Sequence, residues 1–579
     1  MRSLLSLCAA LVVASYATAA DGKDPLRFLP DSTDIVLKVE RPRALVDAIL
    51  KHDLAKQAQE LQIVREFLDS ADARKFFQLV AHFEKELGAP WPELIEKLAG
   101  GGIAAGLKYG GDGAPFLLIL QGTDEKTVTR FFDMGLSLIE EEQTRQGAKE
   151  KPKRKTYEGV ECVELDKQLL VARAGDAILL ANKGEALKAG IDQYRANGKD
   201  AKAKSIATSS APKDVAGILP PNPAAWLWLN LKPVKEMPAA KELFKNPRND
   251  IAQTVLFAGY LDVARRSDFV AAGLYADAGD FRFTVRLPAG RDGMSTDAEL
   301  HLPRDPKVSG TLPLLEPKGV LFSHSFYYDF DTLYQKRDAI MPPDVAKQFA
   351  EGEKQISRFL INTSLSKFFS QSGVYYRLVA VQPETVPDYK IEPDQKLPAF
   401  AIVLSMRDPA FAKSMNALIK AGALAVSGQA SFRSWEEEIA GVPAFGYSFP
   451  EDGKFPDDPL KARFNYQPTF ATIKDQYILA SNKGLCRELI GILDKEDRSK
   501  PAPQNMQMRL YASALGQYAN VAPEQALAGT IVAQALKVEE ARQQTDALFA
   551  FLQKLGTVQL ETDYTGNQFR FDLTWRTRK

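Results

Sequence analysis

Cysteine and histidine are both scarce in this 579-residue chain. The three cysteines are Cys8, Cys162 and Cys486. The last two are too few for a disulfide framework, so we expect free thiols, although an oxidising compartment would permit them to pair. The four histidines form neither an H-E-x-x-H nor an H-x-H arrangement, so the sequence indicates no metal site built on histidine.

Neither sign of charge is in excess, because 74 basic residues balance 74 acidic ones. This balance gives no global electrostatic reason to expect a nucleic-acid partner. Beyond the N-terminus, no apolar run approaches the ~18 residues of a transmembrane helix, so we expect no transmembrane segment in the mature chain. A hydrophobic fraction of 45% with 26% charged residues is typical of a globular protein with a sizeable core.

The N-terminus has the pattern of a secretory signal. Arg2 precedes a short apolar stretch, Leu4–Ala14, and small residues follow at Ala17, Ala19 and Ala20. We therefore predict a signal peptide over residues 1–20, cleaved near residue 19 or 20. The mature chain would be exported to a periplasmic or extracellular space.

An internal repeat is the strongest pattern in the chain. Residues 178–184 read ILLANKG and residues 478–484 read ILASNKG. Each is an apolar strand that leads through Asn-Lys-Gly into an amphipathic helix. Asn182 and Asn482 are expected to be helix N-caps, because an asparagine side chain can accept a hydrogen bond from a free first-turn N–H.

Other landmarks recur in the same order. The apolar strand 115–120 is followed by Asp124, and the apolar strand 399–404 is followed by Asp408. Both aspartates are predicted to cap the next helix. Two further pairs also match: Gly159-Val160 with Gly441-Val442, and the alternating terminal strands 281–287 and 569–575.

The spacing of the landmarks locates an insertion in the second half. Gly159 and Asn182 are 23 residues apart, whereas Gly441 and Asn482 are 41 apart. The 18 extra residues are assigned to a Pro-, Gly- and Asp-rich loop around 450–459.

These patterns predict two tandem related α+β copies, residues 21–297 and 298–579. Clustered strands joined by short turns, as in 253–287, indicate mainly antiparallel sheets. We expect the helices of each copy to pack on one face of its sheet.

The Leu29-Pro30 opening before a strand, the Asp-capped helix and the strand pair 168–172 and 177–181 together resemble an uncharacterised family of exported bacterial proteins, a domain of unknown function. The resemblance implies an exported two-layer α/β protein. It supplies no catalytic residue and no cofactor.

Motifs of catalysis are weak. Residues 100–106 fit G-x-G-x-x-A, but a helix precedes them and a strand follows, the reverse of a dinucleotide site. We interpret them as a helix C-terminus. There is no G-x-S-x-G elbow and no P-loop. We therefore predict no catalytic, cofactor-binding or metal-ligating residue.

Aromatic residues on strands offer a different signal. Trp226 and Trp228 share one strand face, and Phe322 and Phe326 share another with His324. Such residues belong to the core if helices cover the face, and line an apolar groove if it is bare. His324 is interpreted as a sheet residue rather than a catalytic base.

The leading hypothesis is an exported, non-enzymatic binding or cell-envelope-associated protein whose ligand is unknown, with an apolar molecule or an envelope protein as possible partner. The alternative is a hydrolase of an envelope or extracellular polymer, because a carboxylate pair drawn from distant loops leaves no fixed spacing. A structural or protease-inhibitory role for the loop 450–459 is a third option.

Overall fold

A computed structural model describes residues 24–577 apart from short gaps. The gaps are 111–112, 146–151, 167, 197–203, 246–250, 278, 297, 304, 306, 357–363, 384–386, 388, 427–431, 453–457, 459, 500–501, 517–522, 535 and 566. The predicted signal peptide, 1–20, and most of the loop 450–459 lie outside the described residues.

The chain divides into two compact units. Unit 1 runs to Ala240 and includes Ser267–Pro288, and unit 2 comprises Lys241–Arg266 and the chain from Ala289 onward. The structure is a mixture of helices and antiparallel sheet, compatible with the predicted α+β class.

The described residues of unit 1 form ten strands in one antiparallel sheet. They are β1 Ile35–Val39, β2 Gly102–Leu107, β3 Phe116–Gln121, β4 Lys153–Tyr157, β5 Val160–Asp166, β6 Leu169–Ala174, β7 Ala177–Ala181, β8 Ala225–Asn230, β9 Phe269–Asp277 and β10 Asp280–Leu287. Their order across the sheet is β4-β5-β6-β7-β3-β2-β1-β8-β9-β10.

The part of unit 2 that the structure describes also has ten antiparallel strands. They are β11 Val320–Tyr327, β12 Ser372–Val381, β13 Ala399–Met406, β14 Arg433–Ile439, β15 Val442–Ser448, β16 Thr469–Ile473, β17 Gln476–Ala480, β18 Gln504–Leu510, β19 Thr557–Thr565 and β20 Gln568–Arg576. Their order is β14-β15-β16-β17-β13-β12-β11-β18-β19-β20. The two sheets therefore have the same strand order.

Helices connect these strands. Those before β11 are α1 Pro42–Leu50, α2 Asp53–Ala58, α3 Gln62–Leu68, α4 Ala71–Leu87, α5 Trp91–Ala99, α6 Glu125–Arg145, α7 Gly184–Ala196, α8 Ala211–Ile218, α9 Leu231–Glu236, α10 Pro238–Lys245 and α11 Ile251–Arg266. Those after it are α12 Phe330–Gln335, α13 Arg337–Ile340, α14 Pro343–Ile356, α15 Leu365–Gln371, α16 Ala410–Val426, α17 Lys483–Asp494, α18 Ala512–Leu515, α19 Pro523–Gln534 and α20 Val538–Leu552. Among the described residues, no helix combines the length and apolar character needed to cross a membrane.

Helices cover both faces of the sheet around β3 and β7, so the expectation of helices on one face is wrong there. Leu117 and Leu179 pack with Leu187 of α7 in one core. Leu120 and Ile178 belong to a second core, which includes residues of α5 and α6. The physical reason is that both strands are apolar at successive positions, the pattern of a strand buried on two faces.

Unit 2 has the same two-sided packing at β17. Ile478 packs into a core with Leu489 of α17. Its neighbour Tyr477 belongs to a separate core with Phe411 of α16. Because adjacent strand residues point to opposite faces, α17 and α16 cover opposite faces of this part of the sheet.

Candidate apolar binding surface

Three of the four predicted caps bond to the start of a helix. Asp124 accepts from the N–H of Lys126 at 3.0 Å, and Asp408 accepts from the N–H of Ala410 at 2.8 Å. Asn482 accepts from the N–H of Leu485 at 2.8 Å. These contacts satisfy first-turn N–H groups and fix where each helix begins.

Asn182 has a different role. Its side-chain oxygen accepts from the N–H of Phe116, and its amide donates to the carbonyl of Ala114, both at 2.8 Å. In unit 2 the hydroxyl of Ser481 accepts from the N–H of Phe400 at 2.9 Å. Ser481 thus occupies the role of Asn182, so the sequence match 178–184 with 478–484 is one residue out of structural register.

The two tryptophans of β8 belong to the core of unit 1. Trp226 and Trp228 are both buried. The indole N–H of Trp226 donates to Glu40 at 2.7 Å, and Glu40 also pairs with the buried Lys38 at 3.0 Å. Trp228 stacks with Phe269 at a centroid separation of 6.5 Å. These residues are therefore framework and do not line an open groove.

Phe322, His324 and Phe326 share one face of β11, and none of them is fully buried. His324 stacks on Phe326 with centroids 4.8 Å apart, and Phe326 stacks on Tyr376 at 5.5 Å. Phe326 contacts a core that contains Leu333 of α12, whereas Phe322 lies further along the strand. This face is therefore covered at its Phe326 end.

The register of neighbouring strands extends this half-open face across six strands. Directly opposed residues of antiparallel strands share a face, and they form two rows that we call the apolar strip of unit 2. One row is Ile402, Leu378, His324, Met508, Leu560 and Leu573; the other is Phe400, Ala380, Phe322, Leu510, Val558 and Trp575.

No member of the apolar strip is buried. Ile402 is 36% exposed and Phe400 is 55% exposed, while the other ten side chains are half-buried. At a strand spacing of ~4.8 Å, six strands extend about 24 Å. A contiguous apolar surface of this kind marks an interaction site more often than chance exposure.

On β11 and β12 the opposite face is closed and partly polar. Arg377 on β12 is buried and bonds to Glu496 and Gln476. Glu496 also accepts from Arg498 at 2.8 Å, and Arg498 pairs with Asp475 at 2.8 Å. Breaking a buried ion pair of this kind leaves an uncompensated charge, so this face is structural framework.

Unit 1 has a corresponding strip across β3, β2, β1, β8, β9 and β10. Its two rows are Leu118, Ala105, Leu37, Leu227, Ala272 and Val285, and Phe116, Leu107, Ile35, Leu229 and Val270. Of these, Ala272 alone is buried, and Leu37 is 37% exposed. Both sheets thus leave an apolar surface partly open at the same strands.

The electrostatics of the unit 2 strip are simple, because His324 is its single ionisable member. Burial among apolar side chains lowers the pKa of His324 to about 4. Its Nε2 has no hydrogen-bond partner in the described part of the chain. At neutral pH the strip therefore carries no charge and can bind through apolar contact and dispersion.

Among the described carboxyl groups, those with a shifted pKa are all shifted downward. Hydrogen bonds at a turn lower the pKa of Asp124 and Asp497, and the Lys420 ammonium lowers the pKa of Glu436. In Asp458, bonds to Arg463 lower the pKa by more than desolvation raises it. A glycosidase-type general acid needs a raised pKa instead.

Within the described residues, no three or more His, Cys, Asp or Glu side chains are grouped to hold a metal ion.

Both cysteines of the described chain are free thiols. Cys486 is buried against α17 neighbours such as Leu489, and burial raises its pKa to about 12. Burial also raises the pKa of Cys162. A thiol with a raised pKa is a poor nucleophile near neutral pH.

Sequence reasoning found Phe322 but missed the strands beside it. Met508, Leu560 and Trp575 join the strip only because β18, β19 and β20 pair next to β11. The alternation in 569–575 was a usable signal of a two-faced strand, but it does not say which face stays open.

Comparison with known proteins gives little further guidance. No protein-family model matches the chain, and no curated protein matches it. Three solved structures, crystal forms III, I and IV of TP0453, share 10% identity and cover 46% of this chain. Their TM-scores are 0.22, 0.20 and 0.21, over 79%, 78% and 81% of those chains. This likeness carries no argument, and the resemblance to an exported family stays a prediction.

Proposed function

We propose that this chain is an exported, non-enzymatic binding protein that holds an apolar molecule on the half-open face of its sheet. The observation that carries the proposal is the apolar strip of unit 2, with twelve side chains on six strands. None is buried and one alone is ionisable. Exposed apolar residues of this kind in a folded protein mark a surface that binds another molecule.

An apolar molecule fits the strip better than a protein partner does. Protein interfaces carry roughly one hydrogen bond per 100–200 Å² and a polar rim, whereas the side chains of the strip offer only the neutral His324 and the indole of Trp575. That indole N–H already donates to the carbonyl of Leu555 at 2.7 Å. Two methionines of β18, Met508 in the strip and Met506 next to it on the same face, suit an adaptable apolar site.

The proposal includes tandem duplication. The shared strand order, the matching strips and the shared role of Asn182 and Ser481 support descent of both units from one ancestral sheet. Export rests on the N-terminal signal pattern alone.

The test is a fluorescence titration with N-phenyl-1-naphthylamine, a neutral apolar probe. Ile402→Asp places a charge on the strip and is expected to weaken probe binding about tenfold, since a bound apolar group would desolvate the carboxylate. The matched control is Leu424→Asp on α16, where the side chain is 76% exposed and off the strip.

The control variant should bind the probe as the unmodified protein does. Equal affinity in all three proteins would overturn the proposal, provided that the melting temperatures agree. A change of oligomeric state in Ile402→Asp without a change in probe affinity would point to self-association through this face.

A further inference from the structure

A cavity of about 520 Å³ lies in unit 1 at the corner where β2 and β3 meet the start of α7. Its apolar lining includes Leu29 and Leu117, and its polar lining includes Ser32 and Tyr109. The volume is within the ~300–1,000 Å³ range of small-molecule sites. A buried carboxylate, Asp34, holds this loop by accepting from the N–H of Tyr109 at 2.9 Å.

Two lysines, Lys108 and Lys183, line the cavity together with one acid, Glu185. Within the described residues, neither lysine forms an ion pair. The lining therefore has a net charge of +1 from its side chains. The first turn of α7 lines the same space, and helix N-termini favour anions.

A lysine at the same strand–helix turn of unit 2, one residue further along, is neutralised. Lys483 pairs with Glu437 at 2.9 Å, and its ammonium lies 4.0 Å from the ring centroid of Trp435. Lys183 comes one residue after the corner residue Asn182, and Lys483 comes two residues after the corner residue Ser481. One is held as part of the framework, and the other faces a cavity with no such partner.

The corner itself also differs between the units. In unit 2 the end of the long β15–β16 connection occupies it: Gln467 donates its N–H to the carbonyl of Ser481 at 2.7 Å, and Asn465 accepts from the N–H of Leu397 at 2.8 Å. Phe464 beside them is fully buried. In unit 1 the chain lacks the insertion, and the corresponding corner contains the cavity.

From this contrast we propose a second binding site, the unit 1 cavity, for a small anion with an apolar body. Lys183 and Lys108 would pair with its carboxylate or phosphate group, while Leu29 and Leu117 would pack against the apolar part. A charged hydrogen bond in a partly desolvated site is among the stronger polar contacts. The site is independent of the apolar strip.

Calorimetric titration of the purified protein tests the site with hexyl phosphate, hexanoate, hexanol and inorganic phosphate. We expect one or both of the six-carbon anions to bind at least tenfold more tightly than hexanol. Whichever of hexyl phosphate and hexanoate binds more tightly identifies the preferred head group. Comparing hexyl phosphate with inorganic phosphate shows whether the apolar body contributes to affinity. Equal binding of the anions and hexanol, or no binding of any anion, would overturn the proposal.

Matched variants locate the anion. Lys183→Gln should weaken anion binding about tenfold, Lys183→Arg should retain most of it, and Lys483→Gln should leave it unchanged. Ile402→Asp should also leave it unchanged, which separates this site from the strip. An equal loss in Lys183→Gln and Lys483→Gln, with unaltered melting temperatures, would show that the lysine effect is not local and would refute the site.

Discussion

At the scale of single residues, His324 is the clearest departure from an otherwise apolar row. It is flanked across the sheet by Leu378 and Met508, and its ring stacks on Phe326. The corresponding strand position in unit 1 is Leu37. A histidine is tolerated there because the neutral imidazole is flat and moderately polar, and its low pKa keeps it neutral at pH 7.

The depressed pKa of His324 makes stability depend on pH. The folded-state pKa, about 4, lies below the ordinary 6.5, so the unfolded chain binds the proton more readily. Stability is therefore complete above about pH 6.5 and is lost as the pH falls towards 4. His301, whose pKa is also lowered to about 4, adds a contribution of the same sign.

The prediction concerns His324→Leu, which introduces the residue type of unit 1. Between pH 7 and pH 5 the variant should lose less unfolding free energy than the unmodified protein, by on the order of 1–2 kcal/mol. Urea denaturation at the two pH values measures this difference. The control variant is His82→Leu on α4. His52→Leu is unsuitable because His52 caps α2. Identical pH dependence in His324→Leu and the unmodified protein would contradict the assigned environment.

At the scale of elements, local signals were predictable and long-range register was not. Asp124 and Asp408 cap their helices through contacts two residues away, which a sequence pattern can specify. The role of Asn182 depends on Phe116, 66 residues earlier. No local pattern distinguishes Asn182 from Asn482, because the residues that flank them are nearly the same.

The same limit applies to the faces of the strands. The apolar runs of β3 and β7 could have indicated burial on two faces, because a strand covered on one face alternates instead. The half-open strip could not have been read from sequence, since it needs the pairing of β11 with both β12 and β18. A one-residue change of register would move every side chain to the other face.

The two asparagines give a prediction for helix starts. Asn482→Ala should lower the free energy of unfolding by about 1 kcal/mol through loss of the cap, and Asn482→Asp should recover most of it. Amide hydrogen exchange at Leu485 should accelerate in the alanine variant. Asn182→Ser is the matched comparison: it should be tolerated, because Ser481 performs that task in unit 2. A larger loss in Asn182→Ser than in Asn482→Ala would contradict these assignments.

At the scale of the whole molecule, the units agree in framework and differ at their corners. Strand order, two-sided helix packing and the strips recur, whereas the cavity of unit 1 corresponds to a filled corner in unit 2. Features that both units need for folding are shared. The strips proposed to bind an apolar molecule are also shared, whereas the proposed anion site lies where the units differ.

The most direct test of the central claim asks where an apolar ligand lies. Trp575 belongs to the strip of unit 2, whereas Trp435 lies on β14 against Lys483. Energy transfer from tryptophan to bound N-phenyl-1-naphthylamine should fall clearly in Trp575→Phe and change little in Trp435→Phe, at equal probe occupancy. Transfer that is unaffected by Trp575→Phe would place the ligand elsewhere and contradict the account.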